Sequence, residues 1–325
     1  MSSRFSQSCA LFLLILSISL AGAQNQPNSS APQQPSDSAS DADEIMHHLR
    51  RSTVSLGLHV NEGGKPRFVT VGSAVAVTID GRKACLLTAK HVFSQPEKGY
   101  VPTMLYVRLP QNGQRSEDDL GFPIPLVVNG SAIWRGSEDA DLAVVAAPNL
   151  SMSSDAHAIL LSDFGDEDDV YQGAAVVVMG YPELLGPNFQ TTPIARGGIV
   201  AWTNPNGALE HTFLVDANVF SGNSGGPVFH MPTGVMKSGG FRMGGSPKLI
   251  GIISKDAFEE APVHAGGQPV NSIDQSNGRV PPLTAQVLNI GGIGIVEPAS
   301  KAKKLVGNFL DPFYRTRNAK PQDLH

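Results

Sequence analysis

Apolar residues recur along most of this chain at every second position, and that period predicts strands. Thr53 to Val60 and Phe68 to Ile79 alternate in this way, with the turn signal Asn61-Glu62-Gly63-Gly64 between them. Ile79-Asp80-Gly81-Arg82 predicts a second hairpin turn into Ala84 to Thr88, so that a β-meander ends at Ala89-Lys90-His91. Further strands are expected at Thr103 to Leu109, Ile124 to Val128, Ser131 to Trp134 and Asp141 to Ala146, the last an apolar run headed by a carboxylate. Leu150 to Val170 is polar and acidic and predicts a solvated connection. It lacks the alternating ligands and closing glutamate of an EF-hand. A second set of strands follows at Ala174 to Gly180, Thr191 to Trp202, Leu209 to Ala217, Pro227 to His230, Leu249 to Ser254 and Ile293 to Glu297.

A helical period is visible in two places. Asp43 can cap a short helix whose apolar positions are Ile45, Met46 and Leu49, with His47, His48, Arg50 and Arg51 on its solvated side. Adjacent helical residues point about 100° apart, so His47 and His48 are poorly placed to share a metal ion. Near the other end, Ala302, Leu305, Val306 and Leu310 keep helical spacing, and Pro298 suits a first turn. The expected organisation is an all-β body over 43–310, with β sets at about 53–150 and 170–297, a terminal helix at 298–310 and a polar tail at 311–325.

Composition alters this picture mainly at the N-terminus. With 325 residues, 41% hydrophobic, 34 Gly and 24 Pro, the chain is globular and rich in turns. Arg4, the apolar run Ala10 to Leu20 and the small residues Ala21-Gly22-Ala23 predict a cleaved export signal over 1–23. That run is shorter than the roughly 20 residues a membrane span needs, so no integral segment is expected after cleavage. The expected destination is periplasmic or secreted. Residues 24–42, rich in Gln, Pro, Ser, Asn and Ala, predict a disordered linker. A net charge of −5 offers no basic footprint for a nucleic-acid partner. Of the two cysteines, Cys9 lies in the signal, and Cys85 sits in an apolar run as a buried small hydrophobe, so no internal disulfide is expected.

The candidate chemistry centres on Phe220-Ser221-Gly222-Asn223-Ser224-Gly225-Gly226-Pro227. Flanking glycines let the backbone take unusual conformations and let a substrate approach a serine closely. A serine hydroxyl is a weak nucleophile at neutral pH and needs a base and an orienting carboxylate. His91 follows one strand and Asp141 heads another, so His, Asp and Ser occur in the order of the chymotrypsin-type triad. The backbone N–H groups of Gly222 and Ser224 are the natural donors to the oxyanion. This chemistry uses no cofactor and no metal. His59 and His211 fall in strand patterns and His157, His230 and His264 near turns, none with zinc-site spacing.

Thr88-Ala89-Lys90-His91-Val92, Asp141-Leu142-Ala143-Val144-Val145 and Gly222-Asn223-Ser224-Gly225-Gly226-Pro227 resemble the three catalytic blocks of the trypsin-like serine proteases, specifically the bacterial HtrA (DegP-like) branch. Leu249 to Ser254 is similar to the strand lining that family's substrate cleft, and Gly292 to Val296 to its closing strand. The resemblance covers about 45–310. It implies two six-stranded-type β-barrels of the chymotrypsin fold with a C-terminal helix, a serine endopeptidase activity and a polypeptide substrate. It places Asn218, Val219, Phe220 and Ser254 in the substrate-binding cleft. None of the residues just before the serine block is acidic, so small or aliphatic side chains are expected at the cleaved position, and not Lys or Arg. Asn223 replaces the aspartate that digestive trypsins pair with a freed N-terminus, which implies no such zymogen switch. The chain after Leu310 is too short for the PDZ domains of that branch. The insertion Glu259 to Pro282 is expected near the cleft.

Two other readings remain open at this stage. A protease-like fold can persist as an inactive binding or scaffold module. Gly222-Asn223-Ser224-Gly225-Gly226 also satisfies the G-x-S-x-G elbow of an exported esterase, although Gly225-Gly226-Pro227 is a poor helix start and the chain lacks alternating βα units.

Overall fold

The computed structural model describes residues 38–318 apart from 112–118, 148–149, 151–155, 183–190, 236, 243, 257, 263, 266–267, 270–283 and 289–291. The expected export signal, most of the expected linker and the centre of the 259–282 insertion lie outside the described residues.

The two β sets fold as two halves, and alternation along each strand sends successive side chains to different cores. In the strand Lys65–Thr78, Ala74 and Ala76 face the interior of the N-terminal half, while Val75 and Val77 face a second core at the seam between the halves. The strand Ala84–Thr88 divides in the same way, Leu86 inward and Cys85 and Leu87 toward the seam. On the far side, Val228, Ile250 and Ile253 fill the C-terminal half, whereas Phe229, Leu249 and Ile252 complete the seam. Fully burying one such side chain contributes about 1.5–3 kcal/mol. The seam is thus a hydrophobic core shared by both halves.

The C-terminal half is a closed six-stranded barrel of Ala175–Gly180, Ile194–Trp202, Phe213–Asp216, Ile293–Pro298, Lys248–Asp256 and Pro227–His230. The N-terminal half is an eight-stranded sheet whose main path runs Phe122–Pro125, Met104–Arg108, Thr53–Glu62, Lys65–Thr78, Ala84–Thr88, Ala143–Ala146 and Arg135–Gly136. Among the described residues this sheet stays open at its edges. Its eighth strand, Ile159–Leu160, pairs in parallel with Val77 and Thr78. The acidic connection after Leu150 is therefore part of the sheet, with Ile159, Phe164 and Val170 buried, and is not a purely solvated linker.

Both helices depart from the sequence expectation by being longer. The first is Ser38–Ser52, starting five residues ahead of Asp43 inside the segment expected to be disordered. Asp43 and Glu44 fall in its second turn. The second is Ala299–Asn318, which runs through Pro312 into the expected polar tail. One histidine is relocated: His211 sits in a bend before the strand Phe213–Asp216. His230 ends the strand Pro227–His230 as expected, buried and bonded through Nδ1 to Asp169 Oδ1 at 3.0 Å. The flanks of the 259–282 insertion pair as a hairpin, Phe258–Pro262 with Thr284–Leu288.

Candidate active site

Each of the three candidate side chains is delivered by a different segment. His91 lies in the single helical turn Lys90–Phe93, entered directly from the strand Ala84–Thr88 and anchored by the buried Val92 and Phe93. Asp141 sits in the loop between Arg135–Gly136 and Ala143–Ala146, with Leu142 buried behind it. A backbone bond ties these two segments together, Lys90 N–H donating to Asp141 O at 3.1 Å, and Ser137 N–H closes the Asp141 loop on Leu142 O at 2.8 Å. Ser224 comes from the C-terminal half.

The Asp141 carboxylate is the most heavily bonded group of the site. It accepts the His91 backbone N–H on Oδ1 at 3.0 Å, and on Oδ2 it meets His91 Nδ1 at 2.7 Å and the Ser254 hydroxyl at 2.7 Å. Burial pushes its pKa up, but these bonds and the His91 charge outweigh burial and hold the carboxyl below its ordinary value. An ionised carboxylate on Nδ1 keeps the proton there and leaves Nε2 free to act as a base. Ser254 was expected in the substrate cleft; its carbonyl accepts the Ser224 hydroxyl at 3.4 Å. Its second role, donating to Asp141, had no signal in the sequence.

The candidate serine loop is locked by close packing. Gly225 has φ +82°, and a Cβ there would come within 2.0 Å of Thr88 Oγ1 and 2.1 Å of Ser73 O, so the position requires glycine. Its N–H donates to Ile253 O at 2.7 Å, and Ile253 N–H returns to Gly226 O at 2.9 Å. Ser73, from the N-terminal half, reaches across the seam. Its N–H donates to Ser224 O at 2.8 Å, its hydroxyl donates to Gly222 O at 2.8 Å, and that hydroxyl accepts Tyr181 N–H at 2.9 Å. Gly222 has φ +90°. Among the described residues neither Gly222 N–H nor Ser224 N–H has an acceptor, so both donors remain available. Asn223 is 1% exposed, and its Nδ2 has no hydrogen-bond partner among the described residues.

Ser224 Oγ donates to Ser254 O at 3.4 Å, and no hydrogen bond joins it to His91 Nε2. Catalytic hydrogen bonds are often long or unformed without substrate. Beside the loop, Val219 packs into the barrel core, and its N–H donates to Gly292 O at 3.0 Å. Asn218 has φ +49° and accepts the Arg196 guanidinium on its carbonyl, and the same guanidinium lies 4.3 Å above the Phe220 ring. Partial burial lowers the pKa of Arg196 from its ordinary value. Arg196 was not singled out by sequence reading; its one signal was a lone charge in the run Ile194-Ala195-Arg196-Gly197-Gly198-Ile199.

Away from this site, Cys85 is buried, and desolvation pushes its thiol up to about 12, which removes it as a nucleophile. Among the described residues no group of three or more His, Cys, Asp or Glu side chains is placed to hold a metal ion. No helix among them is long and apolar enough to cross a membrane.

Two β halves, one a closed six-stranded barrel, with His, Asp and Ser segments meeting at the seam and a helix closing the chain, make up the architecture of the chymotrypsin fold. The family model of the trypsin-like peptidase domain matches residues 72–236, just over half of the chain, and the chain belongs to that family. No curated protein sequence matches it. Among solved structures it is similar to the serine endoprotease from Yersinia pestis, at 18% identity and a TM-score of 0.42, over 83% of this chain and 66% of that one.

Proposed function

We infer that the protein is a serine endopeptidase that cleaves polypeptides through an acyl-enzyme, with His91, Asp141 and Ser224 as its triad. The observation that carries this reading is the 2.7 Å contact of His91 Nδ1 with an Asp141 carboxylate that Ser254 also holds, beside a serine loop with two free N–H groups. Ser224 Oγ attacks the scissile carbonyl carbon and passes its proton to His91 Nε2. The negative oxygen is received by Gly222 N–H and Ser224 N–H, each donor contributing about 2.7–4 kcal/mol to the transition state. His91 then gives the proton to the leaving amine, and a water activated by the same imidazole hydrolyses the ester.

The positive Arg196 beside Asn218 and Phe220 favours small or aliphatic side chains over Lys and Arg at the cleaved position. Asn223, buried without a charge to neutralise, supports a loop that forms without activation cleavage. The N-terminal composition supports export, with 1–23 removed.

A second reading, a protease-like module that binds without cleaving, is favoured by one contact, the Ser224 hydroxyl turned to Ser254 O. Fluorophosphonate labelling of the folded chain separates the two. The peptidase reading expects Ser224 to be modified before any N-terminal trimming, Ser224→Ala to lose casein cleavage and Asp141→Asn to lose about 10⁴-fold in kcat. A folded chain left unmodified, or Ser224→Ala cleaving as fast as wild type, would overturn it.

A further inference from the structure

Asp141 has an anchor on the far side of the seam. Its backbone N–H donates to Oε1 of Glu297 at 3.2 Å. Glu297 lies in the barrel strand Ile293–Pro298, opposite Ile252 of the strand that carries Ser254, and is 6% exposed. Its other oxygen, Oε2, is buried with no hydrogen-bond partner among the described residues. An orphaned buried carboxylate oxygen is unfavourable, so packing alone would be better served by an apolar residue. The contact that distinguishes Glu297 from such a residue is the bond to Asp141.

We propose that Glu297 is a positioning residue that holds the Asp141 backbone from the C-terminal barrel, so that the carboxylate stays aimed at His91. The proposal rests on the triad reading given above. Three hydrogen bonds fix the Asp141 carboxylate, two from His91 and one from Ser254, and Lys90 N–H fixes its carbonyl. Among the described residues, Glu297 is the one acceptor of the Asp141 N–H. The charged groups around Glu297 are Asp141 with His91 beyond it, Lys301 on the following helix and Asp139 in the Asp141 loop. Lys301 Nζ donates to Asp139 O at 3.0 Å and lies 3.8 Å from its carboxylate, and Lys304 adds a further positive charge toward Asp139. Asp141 and Glu297 repel each other, whereas a hydrogen-bond acceptor is all the tether requires. Glutamine, which keeps the acceptor and drops the charge, should therefore replace Glu297, and leucine should not.

The test uses the full chain with two readouts, the rate of fluorophosphonate labelling at Ser224 and the far-downfield proton resonance of the His91 Nδ1–H bound to Asp141. Glu297→Leu is expected to label about 10- to 100-fold more slowly, through a shifted Asp141, and to displace the resonance. Glu297→Gln is expected to label within about threefold of wild type and to keep the resonance. Glu297→Leu labelling at the wild-type rate with the resonance unmoved would overturn the proposal, as would Glu297→Gln losing both. Should Glu297→Leu fail to fold, the Gln variant decides alone. If the wild-type chain does not label at all, the peptidase reading falls and the resonance still judges the tether: displaced by Leu and kept by Gln, it stands; unmoved in both, it fails.

Discussion

Ser73 shows how one side chain can define a site to which it contributes no chemistry. Its hydroxyl donates to Gly222 O and accepts Tyr181 N–H, while its backbone N–H carries Ser224 O, so both ends of the nucleophile turn are referred to the N-terminal half. Thr88 Oγ1 donates to Ser73 O at 2.7 Å, and Gly225 lies against both groups with no room for a methyl. In Ser73→Ala the buried Tyr181 N–H loses its acceptor, which costs about 1–3 kcal/mol. Gly222, at φ +90°, loses the bond that fixes its carbonyl, while the turn keeps Asn223 N–H on Phe220 O and Ser73 N–H on Ser224 O. Urea unfolding of Ser73→Ala is expected to show a stability loss of that size, and fluorophosphonate labelling to slow by about tenfold as the oxyanion donors lose registry. Unchanged stability together with unchanged labelling would refute this role.

At the scale of elements, the C-terminal helix Ala299–Asn318 closes the seam. Ala302, Leu305, Val306 and Leu310 enter the core that also holds Val75, Leu87, Leu142 and Val144 from the N-terminal half and Phe229 and Ile252 from the barrel. Leu310 is 2% exposed, so Leu310→Ala should cost about 2–5 kcal/mol by urea unfolding with an unchanged denaturant slope, and a loss under about 0.5 kcal/mol would show the helix to be dispensable. This helix was legible in the sequence because its apolar positions keep the helical period, as the strands were from their β-branched alternation. The early start at Ser38 was not, because Ser, Ala and Asp read as linker composition yet also suit an acidic first turn. The strand Ile159–Leu160 was hidden for a different reason: two residues have no period of their own, and pairing with Val77 and Thr78 defines them. His91, Asp141 and Ser224 stand out as candidates from local blocks. Ser254 and Glu297 as partners of Asp141 do not, since those contacts exist only once the barrel is folded against the loop.

At the scale of the whole molecule, the seam collects carboxylates from both halves, and their opposite shifts predict how stability responds to pH. Asp141 is held below its ordinary value of 3.8, so the stability it contributes is present above that value and is lost as pH falls through its folded pKa. Glu297 is pushed above its ordinary value of 4.5 by burial first of all, aided by the negative charges of Asp141 and Asp139, against the Asp141 N–H hydrogen bond and the attraction of Lys301. Its contribution has the other sign: it is fully present below 4.5 and is lost as pH rises through the raised folded value, because the buried carboxyl must then ionise next to Asp141. Glu297→Gln keeps the acceptor and removes that ionisation. The difference in unfolding free energy between Glu297→Gln and wild type should therefore grow in favour of the variant as pH rises above 4.5, then level off once wild-type Glu297 is fully ionised. Urea unfolding of both proteins at a series of pH values measures that difference directly. A difference that stays constant from about pH 4 to pH 8 would mean that Glu297 titrates alike in the folded and unfolded chain, which would contradict the burial and charge environment assigned to it.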